Sequence, residues 1–452
     1  MSDQSSAAGT VPADAPYPPA VLSWGLILLL MVTYVFSYVD RAIIGYLIEP
    51  IKADLKISDE QFGWIVGLAF SVFYATMAIP LGWLVDRKRR TWVLATGVAV
   101  WSIATAVSGL ARNFWHLFLA RLGVGAGEAT LSPAAFSMIG DAFPEEKRAK
   151  PIAVYTMALV VGGSIASFVS GFALTVSKEL SSVSLPLLGA LEPWRLTFIA
   201  VGLPGLILAV IFFFLPEPKR RVMKSAADQV TGSSIADTLA FVGNRIGTYA
   251  GFISLICVMT ILAYGQTNFF PGAFERLYGW DPSFYAYVNG TGILIVGIPT
   301  YLCVGYFSDY WSQKGIKDAP FRLLMFGYLL MVPTGIFAML MPNAWLAYGL
   351  LALNNIGIGV ISAAGITSLL LITPGKIRGQ MVALYYLSIS MSGLLLGPGT
   401  VGTLSTRVFG EENLHLAIAT LPAIYGIIPA ILLPVIRRLY LAQMERLHGP
   451  AA

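Results

Sequence analysis

Along most of the chain, apolar residues come in runs of about twenty, separated by short stretches rich in charge, Gly and Pro. A helix of that length crosses the ~30 Å hydrocarbon core of a bilayer at 1.5 Å per residue. The pattern predicts twelve such spans, near 21–47, 60–85, 92–110, 115–140, 151–175, 195–215, 247–270, 284–308, 322–341, 345–373, 380–400 and 417–436. Residues 1–20 are rich in Ala, Pro and Ser and carry no Lys or Arg. They lack the positive start of a secretory signal and read as a disordered tail, so the first span stays in the mature protein.

Composition makes the membrane reading firm. The chain is 56% hydrophobic and 12% charged, with a mean hydropathy of +0.73, whereas soluble domains are roughly 45–50% apolar and about 25% charged. A soluble protein is excluded, and a multi-pass integral membrane protein is expected, in the inner membrane if the source is bacterial.

The loop charges orient it. After even-numbered spans come Arg87, Lys88, Arg89 and Arg90, then Lys147, Arg148 and Lys150, with further Lys and Arg after spans 6, 8 and 10 and at the C-terminus. Loops after odd-numbered spans hold only Lys52, Lys56, Arg112, Lys178, Arg276 and Arg407. Positive loops stay inside, so both termini are cytoplasmic. The net charge of +5 and the pI near 9.0 report this topology and call for no nucleic-acid partner.

A repeat divides the chain. "GWLVDRKRR" after span 2 recurs as "GYFSDYWSQKG" after span 8, aligning Gly82 with Gly305 and Asp86 with Asp309 at an offset of 223. "RAKPIAVYTM" entering span 5 matches "RGQMVALYYL" entering span 11 at an offset of 230. Offsets this close imply one duplicated unit. The halves are 21–215 and 247–440, joined by a cytoplasmic linker at 216–246 and followed by a tail at 441–452. The fold class is therefore all-α and membrane-embedded, with twelve transmembrane helices in two six-helix bundles. That plan resembles the major facilitator superfamily of secondary transporters. "GWLVDRKRR" is similar to the superfamily's helix 2–3 signature, although Lys88-Arg89 stands where an aromatic and a glycine are usual. Gly82, Asp86, Arg87 and Arg90, with Arg148 and Asp309, are expected to form a cytoplasmic gate, since Asp86 can take an Arg or a helix N-terminus as partner.

Two stretches carry charge into the membrane: "SYVDRAII" with Asp40 and Arg41, and "ARLGVGAGEATLSP" with Arg121 and Glu128. A charge at the bilayer centre costs ~2.5–3.5 kcal/mol on insertion scales, so such residues mark function. Span 1 runs outward and span 4 inward. Counting from their ends puts Asp40 and Arg121 at one level, about 10 Å below the outer surface, with Glu128 about 10 Å deeper. Asp40 and Arg121 are expected to pair, while Glu128 has no second cation of its own. Embedded acids with an arginine near enough to compete for them are parts of a proton relay, which makes Asp40 and Glu128 the proton-coupling candidates. A permanent Asp40–Arg121 bridge without transport role is the alternative.

The spans of the C-terminal half lack acids and bases but offer Tyr264, Asn268, Asn354 and Tyr385 as candidate substrate contacts, with Gln266, Tyr287, Asn289, Asn355, Tyr386 and Ser388 beside them. A charged half facing a neutral, aromatic half suits an amphipathic molecule. "YVDRAIIG", "ISDEQFGWIVGLAFSVFYATMAIPLGWLVDR" and "RLGVGAGEATLSP" together resemble the spinster family over residues 35–170. The resemblance implies a lysolipid substrate, a lysophospholipid or sphingosine-1-phosphate, and maps the family's acids onto Asp40 and Glu128 and its substrate-binding arginines onto Arg41 and Arg121. A proton-coupled transporter working by alternating access is expected, with the bilayer, a lysolipid and protons as its partners and a monomeric state. A carrier of a small hydrophilic anion such as a sugar acid, or a non-transporting sensor, stays open.

Nothing points to an enzyme, a cofactor or a metal. "GVGAGEA" lies mid-helix with no strand before it, so its glycines read as close helix packing and not as a dinucleotide loop. A phosphate loop, and with it ATP drive, is missing. Cys257 and Cys303 both lie in apolar spans.

Overall fold

A computed structural model of the chain describes residues 10–11, 16–144, 147–180, 184–185, 189–221 and 235–448. Twelve helical spans run through it: α1 (Ala20–Tyr46), α2 (Asp59–Arg87), α3 (Arg90–Ser108), α4 (Phe114–Glu128 and Leu131–Ala142), α5 (Ala149–Leu180), α6 (Pro193–Phe214), α7 (Ile246–Thr267), α8 (Pro282–Gln313), α9 (Ala319–Ala338), α10 (Ala344–Leu371), α11 (Arg378–Leu404) and α12 (Leu414–Tyr425 and Ile427–His448). Among the described residues eleven stretches are long and apolar enough to cross a membrane, and α4 is the twelfth, divided into two shorter pieces. The division has a local cause. Pro133 has no N–H for the Ala129 carbonyl, so the ladder fails just after Glu128, midway along the span.

The duplication is visible in the packing at the same offset of 230. Asn113 caps α4 by accepting from the His116 N–H, and Asn343 caps α10 by accepting from Trp345 and Leu346. Gly127 of α4 lies against the backbone of Gly97 and Trp101 in α3, and Gly357 of α10 lies against Gly327 and Met331 in α9. Neither crossing has room for a Cβ, so the glycines of "GVGAGEA" are packing glycines. The Arg148 Nε donates to the Phe143 carbonyl as the Arg378 Nε donates to Thr373.

Several ends differ from expectation. The helix of α12 continues to His448, through most of the segment read as a tail, and Arg437 is held there by Asp318 at 2.7 Å. Of the residues read as an N-terminal tail, Thr10–Val11 pairs in parallel with Arg220–Arg221 of the linker, which also contains the helix Ile235–Gly243. The rest of that tail up to residue 15, and linker residues 222–234, lie outside the described residues.

The two halves meet along their outer parts. Gly63 and Gly67 of α2 abut the Pro398 and Leu394 carbonyls of α11, and the Ser164 hydroxyl of α5 donates to the Gly290 carbonyl of α8 at 2.6 Å. One apolar core accordingly joins the outer ends of α1 and α2 to the C-terminal half, while the cytoplasmic part of the N-terminal half has a core of its own. Towards the cytoplasm the facing helices separate: Gly82 and Gly305 have open space where a Cβ would stand, and Ile79, Trp83, Tyr306 and Tyr386 are exposed. The molecule is closed outside and open inside.

Candidate functional site

The buried charges meet where α1 crosses α4, but not in the predicted pairing. Arg41 donates from Nε and Nη2 to Oε2 of Glu128 at 2.6 and 2.5 Å, and the Ser37 hydroxyl donates to the same oxygen at 2.7 Å. Glu128 therefore does have a cation of its own. Arg121 makes no ion pair with the Asp40 carboxylate; its Nη1 donates to the Asp40 backbone carbonyl at 3.2 Å. Helical side chains lean toward the N-terminus of their own helix. On the outward-running α1 the long Arg41 side chain thus reaches inward to the level of Ser37 and Glu128, and on the inward-running α4 Arg121 reaches outward to the Asp40 main chain. Counting Cα levels alone could not show this.

Burial separates the four groups. Asp40, Arg121 and Glu128 are at most 2% exposed, whereas the Arg41 side chain keeps 18%. Its guanidinium lies over the rings of Phe70 at 4.7 Å, Tyr74 at 4.9 Å and Tyr38 at 5.9 Å. It is the one member of the quartet that reaches the cavity. Oδ1 of Asp40, Nε of Arg121 and Oε1 of Glu128 are buried and make no hydrogen bond with the described residues. An orphaned polar atom inside a protein costs about 1–3 kcal/mol, and three within one cluster mark a site kept for something other than stability.

Across the cavity Tyr264 of α7 lies within electrostatic reach of Arg41 and Tyr38. Tyr385 is buried edge-on against the exposed Tyr386, at 5.3 Å between ring centres. The other two candidates hydrogen-bond within the C-terminal half. Asn268 donates to the Tyr264 carbonyl at 2.8 Å, one turn back on its own helix. Asn354 is 2% exposed and donates to the Met331 carbonyl at 2.7 Å. It stands one turn before Gly357, on the face of α10 that lies against α9, and so points away from the cavity.

At the cytoplasmic end Asp86 and Asp309 are exposed, and Arg87 lies over the Trp83 ring at 4.3 Å. Arg90 does not face the other half. It is 1% exposed and ion-paired with Asp141 and with Glu217, the latter at 2.6 Å, which ties α3 to α4 and to the segment after α6. Among the described residues no ion pair joins the two halves on this side.

The outer side is the opposite, and sequence reasoning missed it. Arg276, on the short helix Phe270–Tyr278, grips both oxygens of Asp59 at 2.8 and 2.9 Å and reaches Glu49 at 2.6 Å. Lys52 bridges Asp59 at 2.5 Å and Glu411 at 2.7 Å, the Ser405 hydroxyl donates to Asp59, and Arg407 makes a two-pronged pair with Glu60. The Asp59 side chain is fully buried at the centre. Burial works against the Arg276 charge, but hydrogen bonding to Asp59 outweighs it and the guanidinium sits above its ordinary value. Lys52, Arg276 and Arg407 counted in the sequence only as outer-loop cations. The available signal was "ISDEQ", where Ser58 and Gln61 form a capping box that opens α2 with two acids at its outer end.

The sequence family described as Major Facilitator Superfamily matches residues 30–317. This chain belongs to the Major Facilitator Superfamily. Over 95% of its length, and 96% of the relative's, the facilitator is 27% identical to an MFS-type efflux pump of Mycolicibacterium smegmatis. It is 27% identical to a probable L-galactonate transporter of Escherichia coli over 67% of each chain. To Protein spinster of Drosophila melanogaster it is 24% identical over 90% of this chain and 66% of that one. The fold superposes with a TM-score of 0.82 on the crystal structure of a bacterial homolog of the human lysosomal transporter spinster, inward-facing and unoccupied, at 23% identity over 94% of this chain and 99% of that one. The facilitator is spinster-like, and its relatives and fold are those of transporters. A facilitator clamped outside and open inside is in its inward-open state.

Proposed function

We propose that this facilitator carries an amphipathic anion of the lysolipid class by alternating access, coupling its movement to proton exchange at Glu128 and Asp40. The observation that carries the proposal is the Arg41 guanidinium, held in the cavity between Glu128 and three aromatic rings. Protonation of Glu128 removes its charge and releases Arg41 for an anionic head group. Loss of the proton returns Arg41 to Glu128. One cation shared by a carboxylate and an anion is a coupling device, because each occupant weakens the hold of the other and the effect is reciprocal. Arg121 holds the charge balance behind Asp40. Tyr38, Tyr74 and Tyr264 offer aromatic wall for a chain, and the spinster likeness supports a lipid of this kind. Asp86, together with Gly82, Arg87, Arg148 and Asp309, is the proposed latch of the opposite, inward-closed state.

A second reading, a hydrophilic sugar acid as cargo, is supported by the likeness to the L-galactonate transporter and fits the same cation. Counterflow in proteoliposomes separates the two. Labelled lysophosphatidate is expected to exchange, to be displaced by unlabelled lysolipid and not by galactonate, and to lose exchange in Arg41→Ala. Displacement by galactonate alone would transfer the site to sugar acids. Accumulation that ignores an imposed pH gradient would remove the proton from the mechanism.

A further inference from the structure

A groove of about 520 Å³ lies between α2, α3 and α4 of the N-terminal half. It opens because α3 packs chiefly against α4 and α6 and meets α2 only sparsely. Leu81 and Leu84 of α2 face Val93 and Val100 of α3 across it, and its floor is Gly127 and Thr130, the two sides of the break that follows Glu128. The size falls within the roughly 300–1,000 Å³ of small-ligand sites.

The mouth differs from the walls. Lys88 and Arg89 stand there, both exposed, at the cytoplasmic ends of α2 and α3, and no Asp or Glu lines the groove. Arg89 lies over the Trp92 ring at 5.0 Å and donates to the Leu215 carbonyl at 3.1 Å, which fixes its head in place. Trp92 in turn donates to the Phe213 carbonyl at 3.2 Å and stacks on that ring, an interfacial position for a tryptophan. The Lys88 ammonium has no acidic partner among the described residues. Trp92 and Val100 of its wall are exposed on a membrane span, where they suit an acyl chain, and two cations without a counter-charge stand at head-group level. That combination complements an acidic phospholipid of the cytoplasmic leaflet, the leaflet whose negative surface draws such residues.

We propose that this groove is a binding site for an acidic phospholipid, with an acyl chain along α2 and α3 and the phosphate between Lys88 and Arg89. The chain's end rests on Gly127 and Thr130, so the lipid backs the broken segment of α4 that carries Glu128. The proposal is independent of the cargo, because neither cation belongs to the transport site and none of Asp40, Arg41, Arg121 and Glu128 lines the groove.

Native mass spectrometry of the full-length protein, titrated with phosphatidylglycerol or phosphatidylcholine of equal chains, tests it. The wild type is expected to retain one phosphatidylglycerol in preference to phosphatidylcholine. The double variant Lys88→Gln/Arg89→Gln is expected to lose that preference by roughly 30-fold, the factor carried by two surface cations. Both residues are exposed, so the fold is not at stake, and Val100→Trp, which fills the groove, should lower retention of both lipids. Equal retention of the two lipids by the wild type, or an unchanged preference in the double variant, overturns the proposal. Preferential retention of lysophosphatidylglycerol over the two-chain lipid assigns the groove to the cargo and overturns it as well.

Discussion

Replacing Glu128 by Gln tests the shared cation directly. The amide keeps the shape and leaves an acceptor for the Ser37 hydroxyl, but it removes the charge that holds Arg41 through two donors at 2.6 and 2.5 Å. A hydrogen bond to a charged group contributes about 1.5–3 kcal/mol, and an anion entering the wild-type site must displace that interaction while Glu128 is ionised. The variant has nothing to displace, so its affinity for an anionic lysolipid at alkaline pH should exceed that of the wild type by roughly 10- to 150-fold. In the protonated state of Glu128 that the proposed coupling requires, the two should converge. The three rings around the guanidinium keep Arg41 from being stranded, since each cation–π contact is worth about 0.5–1 kcal/mol or more, so the variant should fold with a modest loss of thermal stability. Equilibrium binding of a labelled lysolipid to purified protein across pH is the assay, with a melting curve beside it. An affinity that falls, or a wild-type pH dependence retained by the variant, would refute the reasoning. Exchange should survive in the same variant, while uptake driven by a proton gradient should not.

The outer clamp should yield to Asp59→Asn: the Asp59 side chain is fully buried between Arg276 and Lys52, breaking such a pair costs about 3–5 kcal/mol, and cysteine labelling of the cavity from outside should rise; unchanged labelling would show that apolar packing alone holds the gate. Burial beside Glu49 and Asp281 pushes the Glu275 carboxyl up from 4.5 to about 7 in the closed state, so closing over an ionised Glu275 is penalised. That penalty is absent below about pH 4.5 and grows until about pH 7, hence alkaline medium outside should favour opening, and Glu275→Gln should flatten the dependence of outer labelling on pH. Gly127→Ala would put a Cβ 2.6 Å from the Gly97 carbonyl, and the overpacking should cost about 1–3 kcal/mol and lower the melting temperature. Asp86→Asn, if Asp86 latches the inward-closed state, should raise labelling from the cytoplasm; no change would leave Asp86 a topology charge only.

The sequence by itself determined the membrane, the count of spans, their orientation and the duplication. Each of these is a property of the chain read along its length: a bilayer sets the length of every apolar run, and loop charge sets its direction. It also determined which residues are out of place, since a charge in an apolar span is visible without coordinates. Which charge meets which was decided by the tertiary structure. Pairing depends on how side chains lean from antiparallel helices, and that lean gave Arg41 to Glu128 and left Arg121 on the Asp40 carbonyl. The same holds for Asn354, whose polarity suggested a cavity and whose helix face put it against α9. The outer clamp was least legible of all, because its members come from the loops after α1, α7 and α11 and the first turn of α2, hundreds of residues apart. Loop charges look alike in a sequence, and only the closing of one half upon the other makes some of them a gate.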